Sequence, residues 1–333
     1  RATRGLKWLG SGTSGGDGMV QYTLDKNAKV YVAGHGGLVG SAVWRALRDA
    51  GVHDLVGWRS AELDLRDREA TLDAVMSSRP DVMIVAAARV GGILANATEP
   101  VDFLNDNLLI QTSLFEAAHA AGVERLIFLG SSCIYPKYAS QPIAESSLLT
   151  GELESTNEAY AIAKIAGIMA IKAYRKQHGR RWISAMPTNL YGPGDNFDLT
   201  RSHVLPAMIR KYHDAKSNGD DVQLWGTGSP LREFLHVDDL ASATLYLLEH
   251  YDSEQTINVG TGVDVSIREL ATTVADVVGF DGGTHWDTTK PDGTPRKLLD
   301  VSRIRALGWE PRIELRDGIE STYEWYLETL ANA

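Results

Sequence analysis

The sequence predicts an α/β fold, a Rossmann-type doubly wound parallel sheet with a smaller C-terminal α/β substrate domain. Three observations predict it. From Lys29 onward short apolar runs alternate with helix-length amphipathic segments, the pattern of parallel strands joined by crossover helices. The first apolar run leads straight into a glycine turn that opens a helix, Gly34-His35-Gly36-Gly37-Leu38-Val39-Gly40. The run Val82–Ala86 is apolar throughout, as a strand covered on both faces must be.

The elements follow in order. Lys29–Ala33 reads as a strand and about Leu38–Ala50 as the helix after the turn. A second strand covers about Leu55–Trp58, and a helix follows Asp67. Val82–Ala86 is the third strand, Pro100–Ala121 a long helix and Leu126–Gly130 the fourth strand. A helix from about Glu158 to Gln177 precedes a strand near Trp182–Met186. Beyond Pro187 the pattern loosens, with helices near His203–Ala215, Val237–Leu248, Ile267–Val277 and Leu315–Leu330 between loops containing Gly and Pro. No repeat or low-complexity tract interrupts the chain, and its last third reads as a small cap on the same body.

Bulk composition bounds the function. Hydrophobic residues make up 44% and charged residues 23% of 333 positions, so a full core is expected. A formal charge of −10 argues against non-specific binding to nucleic acid or an anionic membrane. The single cysteine, Cys133, excludes an internal disulfide. No apolar run approaches the roughly 20 residues of a membrane helix. Residues 1–18 are rich in Gly and Ser with scattered basic residues and have no apolar core of a signal peptide. Residues 1–27 read as a flexible extension, with Met19 a candidate start, and a soluble cytoplasmic protein is expected.

The glycine turn carries the first chemical signal. Its glycines provide a tight turn, close approach of backbone to a pyrophosphate and close packing of helix on strand. The helix N-terminus adds free N–H groups and partial positive charge. An NAD site usually ends its second strand in an acid that holds the ribose 2′-OH. Here Val56-Gly57-Trp58-Arg59-Ser60 holds none before Glu62. Arg59 suits the 2′-phosphate of NADP, the alternative being a solvated surface residue. Asp64 is a candidate for the adenine amino group.

Tyr160 and Lys164 stand four apart, on one face of a helix. Lowering a phenol by about three units takes roughly 4 kcal/mol of preference for the phenolate, which a fixed cation and a nicotinamide charge can provide. Such a pair is common by chance. It gains weight from Gly130-Ser131-Ser132-Cys133-Ile134-Tyr135 at the carboxyl end of the fourth strand, where open α/β sheets bind ligands. Ser131, Tyr160 and Lys164 match the pattern of short-chain dehydrogenases. In that pattern Tyr160 moves the proton on the substrate oxygen, Ser131 polarises it, and Lys164 holds the nicotinamide ribose.

A narrower resemblance rests on seven runs: AAARVGGILAN (86–96), LGSSCIYPK (129–137), NEAYAIAKIAG (157–167), MPTNLYGPGDNF (186–197), REFLHVDDLA (232–241), INVGTG (257–262) and KPDGTPRKLLDV (290–301). Together, over about residues 28–330, the chain resembles the GDP-L-fucose synthases, the GDP-4-keto-6-deoxy-D-mannose 3,5-epimerase-4-reductases. The resemblance implies a homodimer acting on a GDP-sugar with NADP as cofactor. It implies an NADP domain of residues 28–187 with returning segments about 232–262, and a substrate domain of 188–231 and 263–330. It assigns Cys133 and His203 as the acid/base pair for epimerisation, where the residues alone read as a small buried hydrophobe and a surface residue at a helix start. For the cofactor it implies Leu129, Gly130, Ser131, Ser132, Pro187, Thr188, Asn189, Leu190 and His203 besides the glycine turn. For the GDP-sugar it points to Lys211, Trp225, Arg232 and Asp292. Two positions depart from the family pattern. Gly36 stands where Arg is common, which either weakens NADP preference or shifts the phosphate to Arg59, and Lys211 replaces a common Arg. Another nucleotide-sugar 4-epimerase or 4-reductase, or a non-catalytic NADP-binding scaffold, would keep the fold without needing Cys133 and His203 as a pair.

Overall fold

The computed structural model describes residues 6–8, 20–199, 201–290 and 292–332. Residues 1–5 and 9–19 of the expected extension lie outside the described residues. Its remainder does not behave as a flexible tail. Leu6–Trp8 (β1) pairs antiparallel with Tyr22–Leu24 (β2), and Tyr22 and Leu24 are buried. The Leu24 N–H donates to Glu249 at 2.7 Å, and the Tyr22 ring lies under the Arg181 guanidinium at 4.5 Å. Apolar burial and these bonds hold the segment in spite of the Gly- and Ser-rich sequence before it.

The body then alternates: Val30–Ala33 (β3), Leu38–Asp49 (α1), Leu55–Val56 (β4), Arg68–Ser78 (α2) and Val82–Val85 (β5). Ile93–Thr98 (α3), a short helix absent from the sequence pattern, precedes Pro100–Ala121 (α4), Arg125–Leu129 (β6), Glu158–His178 (α5) and Arg181–Pro187 (β7). After Asn189–Tyr191 (β8) come Val204–Asn218 (α6), Val222–Trp225 (β9), Leu231–Arg232 (β10), Phe234–His236 (β11), Val237–His250 (α7) and Ile257–Val259 (β12). Val265–Ser266 (β13), Ile267–Val278 (α8), Thr284–Asp287 (β14), Arg296–Lys297 (β15), Ser302–Ala306 (α9) and Leu315–Ala331 (α10) complete the chain.

Six strands form one parallel sheet in the order β12-β7-β6-β5-β3-β4. The chain enters at β3, runs out to β4 and returns on the other side at β5, so a crevice opens where the order reverses. Every residue of β3, β5 and β6 is buried, each large aliphatic one contributing roughly 1.5–3 kcal/mol. A second core, around Leu205, Ile209, Leu270, Val274 and Ile319, joins α6, α8 and α10 to β9 and β14. No described helix is long and apolar enough to cross a membrane.

Strand β6 begins one residue before the apolar run, at Arg125, which is 1% exposed. Its guanidinium donates to the carbonyls of Arg181 at 2.5 Å, Leu247 at 3.1 Å and Leu248 at 3.2 Å, and also to Tyr251. A charge buried among carbonyls is satisfied, so a cation there pins the foot of the sheet to the end of α7.

Candidate active site

The glycine turn lies at the switch point and is packed to contact. A Cβ on Gly40 would stand 2.0 Å from the Gly34 carbonyl oxygen, and one on Gly34 would stand 2.8 Å from the Ala87 backbone. Nothing lies within 4 Å of a Cβ on Gly36, so the rim of the turn is open. The first turn of α1 has no acidic residue, and no side chain caps it, which leaves its N–H groups to an anion. His35 lies against Trp44 (centroids 5.2 Å) and over Gly57, where a Cβ would meet the imidazole at 2.5 Å. Its Nδ1 is buried without a hydrogen-bond partner. This cradle fits a dinucleotide. Beyond it Arg59 is exposed, and its N–H donates to Glu62 at 2.7 Å. The Asp64 carboxylate is gripped by Arg66 at 2.7–3.2 Å, which holds it below its ordinary range.

The carboxyl end of β6 delivers the reacting groups. Gly130 is a close approach, since a Cβ there would meet Met186 at 2.5 Å. Leu129 and Ser132 are buried. Ser131 caps the short turn of residues 132–134, its hydroxyl accepting the Cys133 N–H at 3.2 Å. Lys164, 3% exposed, donates to the Leu129 carbonyl at 2.9 Å and lies over the Phe128 ring. Burial lowers its ammonium from 10.5 to about 8. The same ammonium is 5.8 Å from the centre of the Tyr160 ring. Burial pushes Tyr160 up, the neighbouring Cys133 adds to this, and a hydrogen bond from Ser131 opposes it. Tyr160 therefore keeps its proton at neutral pH.

Cys133 faces a cation that the sequence reading gave no role. The Lys297 ammonium donates to Cys133 Sγ at 3.5 Å. Burial raises the thiol, but Lys297, Ser131 and Asn157 together bring it below its ordinary value. Lys297 is held in turn: two residues on, the Leu299 N–H donates at 3.0 Å to Glu233, a fully buried carboxylate that also accepts from Gly262 at 2.7 Å. The signal for Lys297 was present, a lysine inside the run of residues 290–301, but spacing alone does not bring it across 164 positions to Cys133.

His203 ends the loop before α6. It is exposed, and surrounding protein followed by the Lys297 charge lowers its imidazole. The Gly92 N–H donates to the Arg201 carbonyl at 3.0 Å, and a Cβ on Gly92 would stand 2.8 Å from the Ser202 carbonyl. This contact seats the histidine loop on the segment after β5.

The proposed substrate residues gather on the second half. Lys211 donates to the Gln223 carbonyl at 3.2 Å. Trp225 is 67% exposed with the Lys290 ammonium 5.5 Å from its ring centre. Arg232 is half-buried and reaches toward Gly293. The Asp292 carboxylate accepts from the Thr227 N–H at 2.9 Å and hydroxyl at 2.7 Å, so it braces the turn after Trp225. Between the halves, Pro187 ends β7, the Thr188 N–H donates to Val259 at 3.0 Å and the Asn189 amide to Glu233 at 2.8 Å. Leu190 pairs with Leu235.

A nucleotide cradle beside a Ser/Tyr/Lys set defines a dinucleotide-dependent enzyme, and the chain belongs to the NAD dependent epimerase/dehydratase family, whose model matches residues 30–260. GDP-L-fucose synthases are among its relatives. It is 58% identical over 310 residues to GDP-L-fucose synthase 1 of Arabidopsis thaliana, covering 92% of this chain and 96% of that one. Identity to the GDP-L-fucose synthase of Escherichia coli (strain K12) is 53% over 310 residues, covering 90% and 97%. Among solved structures, a GDP-L-fucose synthetase from Naegleria fowleri bound to NADP superposes with a TM-score of 0.89 at 31% identity, covering 95% and 98%.

Proposed function

We propose that this protein converts GDP-4-keto-6-deoxy-D-mannose to GDP-L-fucose, epimerising C3 and C5 and then reducing C4 with NADPH. The observation that carries this reading is the Cys133–Lys297 contact beside Ser131 and Tyr160. A plain 4-reductase needs only the Ser/Tyr/Lys set. Proton removal beside a ketone needs a base on one face and proton return an acid on the other: a thiol drawn toward thiolate is the base, and His203, once it has taken a proton from solvent, is the acid.

The C4 carbonyl sits at Ser131 and Tyr160, whose hydroxyls stabilise negative charge on its oxygen. The protons on C3 and C5 then become acidic, and Cys133 and His203 remove and return them on opposite faces of the ring. When bound, NADPH supplies the hydride to C4. Tyr160, protonated at neutral pH, gives its proton to the C4 oxygen, and Lys164 holds the nicotinamide ribose. The pyrophosphate lies on the turn of residues 34–40, with Arg59 toward the 2′-phosphate, Asp64 toward the adenine, and residues 129–132 and 187–190 along the nicotinamide. Arg232 and Lys211 take the GDP diphosphate, where a guanidinium fork suits phosphate oxygens, with Trp225 and Asp292 beside them. We assign residues 28–187 and about 232–262 to the NADP domain, and 188–231 and 263–330 to the substrate domain. We place the protein in the cytoplasm and read it as a homodimer, supported by exposed Val101 and Leu109 on α4 and Ile162 and Met169 on α5.

The test is turnover with NADPH in deuterated water, read by NMR. GDP-L-fucose labelled at C3 and C5 is the expected product. NADPH oxidation without label would leave a 4-reductase and remove Cys133 and His203 from the mechanism. NADPH binding without turnover would favour the scaffold reading.

A further inference from the structure

Along the sequence the first acid after β4 comes only at Glu62, but the fold brings its charge back toward the strand end. The chain closes a tight turn on Arg59, whose carbonyl accepts from the Glu62 N–H at 2.8 Å and the Leu63 N–H at 3.0 Å. Leu63 is buried and anchors that turn. The Glu62 carboxylate then folds over and accepts the Arg59 N–H at 2.7 Å, a charge-assisted bond. This segment borders the glycine turn, because His35 lies directly over Gly57 and Trp58 packs edge-on against Tyr31 of β3 at 4.9 Å. The turn itself offers no cation at its open rim, where Gly36 has no side chain. Arg66, the next cation along the chain, is committed to Asp64 and Asp106. Arg59 and Glu62, both exposed, therefore face a bound dinucleotide with opposite charges. An acid at the end of the second strand is the group that holds an unphosphorylated ribose 2′-OH.

We propose that Glu62 is a specificity-determining residue for the cofactor, its carboxylate favouring the ribose 2′-OH of NADH and repelling the 2′-phosphate of NADPH, so that this protein takes both. The inference rests on the proposed use of a nicotinamide dinucleotide and is independent of the epimerisation. Arg59 attracts the phosphate, and a carboxylate bonded to the backbone of that same residue offsets part of the attraction. A side chain kept only to close the turn would serve equally well as an amide, since a glutamine oxygen accepts the same N–H. The charge is what the turn does not need.

Both reduced cofactors fluoresce, so titration gives each dissociation constant without turnover. The unaltered protein is expected to bind NADPH and NADH alike in a titratable range. Glu62→Gln keeps an oxygen for the Arg59 N–H and removes the charge, so its melting temperature stays level. In that variant NADPH binding tightens about tenfold, as repulsion of a doubly charged phosphate is lost. NADH binding weakens about threefold, as a charged acceptor becomes a neutral one. A merely structural role would move the two cofactors in the same direction. Shifts of the same sign, or no shift in either, would overturn the proposal. So would an unaltered protein that binds NADPH and not NADH. Failure to bind either cofactor would overturn the dinucleotide reading and this inference with it. Opposed shifts in a protein that turns over no GDP-sugar support the role of Glu62 and count against the proposed reaction.

Discussion

Lys164 shows how a reacting residue strains the fold that carries it. An ammonium kept at about 8 against an ordinary 10.5 is costly to charge where it lies. Below pH 8 both folded and unfolded chains hold the proton and the cost is complete. Between 8 and 10.5 the unfolded chain alone is charged, so stability rises with pH, and above 10.5 the cost is gone. Lys164→Met is therefore expected to abolish reduction while stabilising the protein at pH 7. After allowance for the Leu129 carbonyl left unpaired, the gain is about 2 kcal/mol. Chemical denaturation at pH 7 and pH 10.5 checks it; the gain should vanish at the higher pH. Tyr160 and Lys164 were legible from four-residue spacing, and Ser131 from its place after a strand. The raised phenol was not, because it comes from burial and from the neighbouring Cys133. Lys297 lay in a quoted run yet carried no signal of its own, since its meaning is a contact with one sulfur.

The glycine turn is the element on which cofactor binding depends. Gly40→Ala would drive a methyl to 2.0 Å from the Gly34 oxygen, forcing α1 away from β3. NADPH affinity is expected to fall by at least about tenfold, since the pyrophosphate depends on close backbone approach. Titration of NADPH fluorescence measures it; unaltered affinity would show that the turn tolerates the shift. Main elements were legible wherever period and length agreed: α4 spans Pro100–Ala121 as its apolar pattern and N-terminal proline indicate. Short pieces were not. Strands such as β10, β13 and β15 have two residues each, too few for any period, and α3 has six. Residues 22–24 hid behind a Gly- and Ser-rich stretch, and partners on β1, β7 and α7 give them a place.

At the scale of the molecule, α4 and α5 lie side by side and leave an apolar face. Ile162 and Met169 are each 47% exposed, and Val101 is 65% exposed. In the proposed homodimer a second copy would bury this face in a four-helix contact, and Ile162→Asp with Met169→Asp is expected to yield monomers. Light scattering decides it; a monomeric unaltered protein would remove the homodimer. The sheet order and the two cores follow from burial summed over many residues, which is why the sequence conveyed the fold class so fully. The meeting of halves was less legible, because it turns on single contacts. Gly92 and residues 201–202 form such a contact, and it fixes where a hinge can be. A cap that rocked to admit a nucleotide sugar while keeping this contact would pivot beyond Ser202. His203 is then the stationary end of the moving arm, so the imidazole keeps its distance from the sheet while the diphosphate clamp swings.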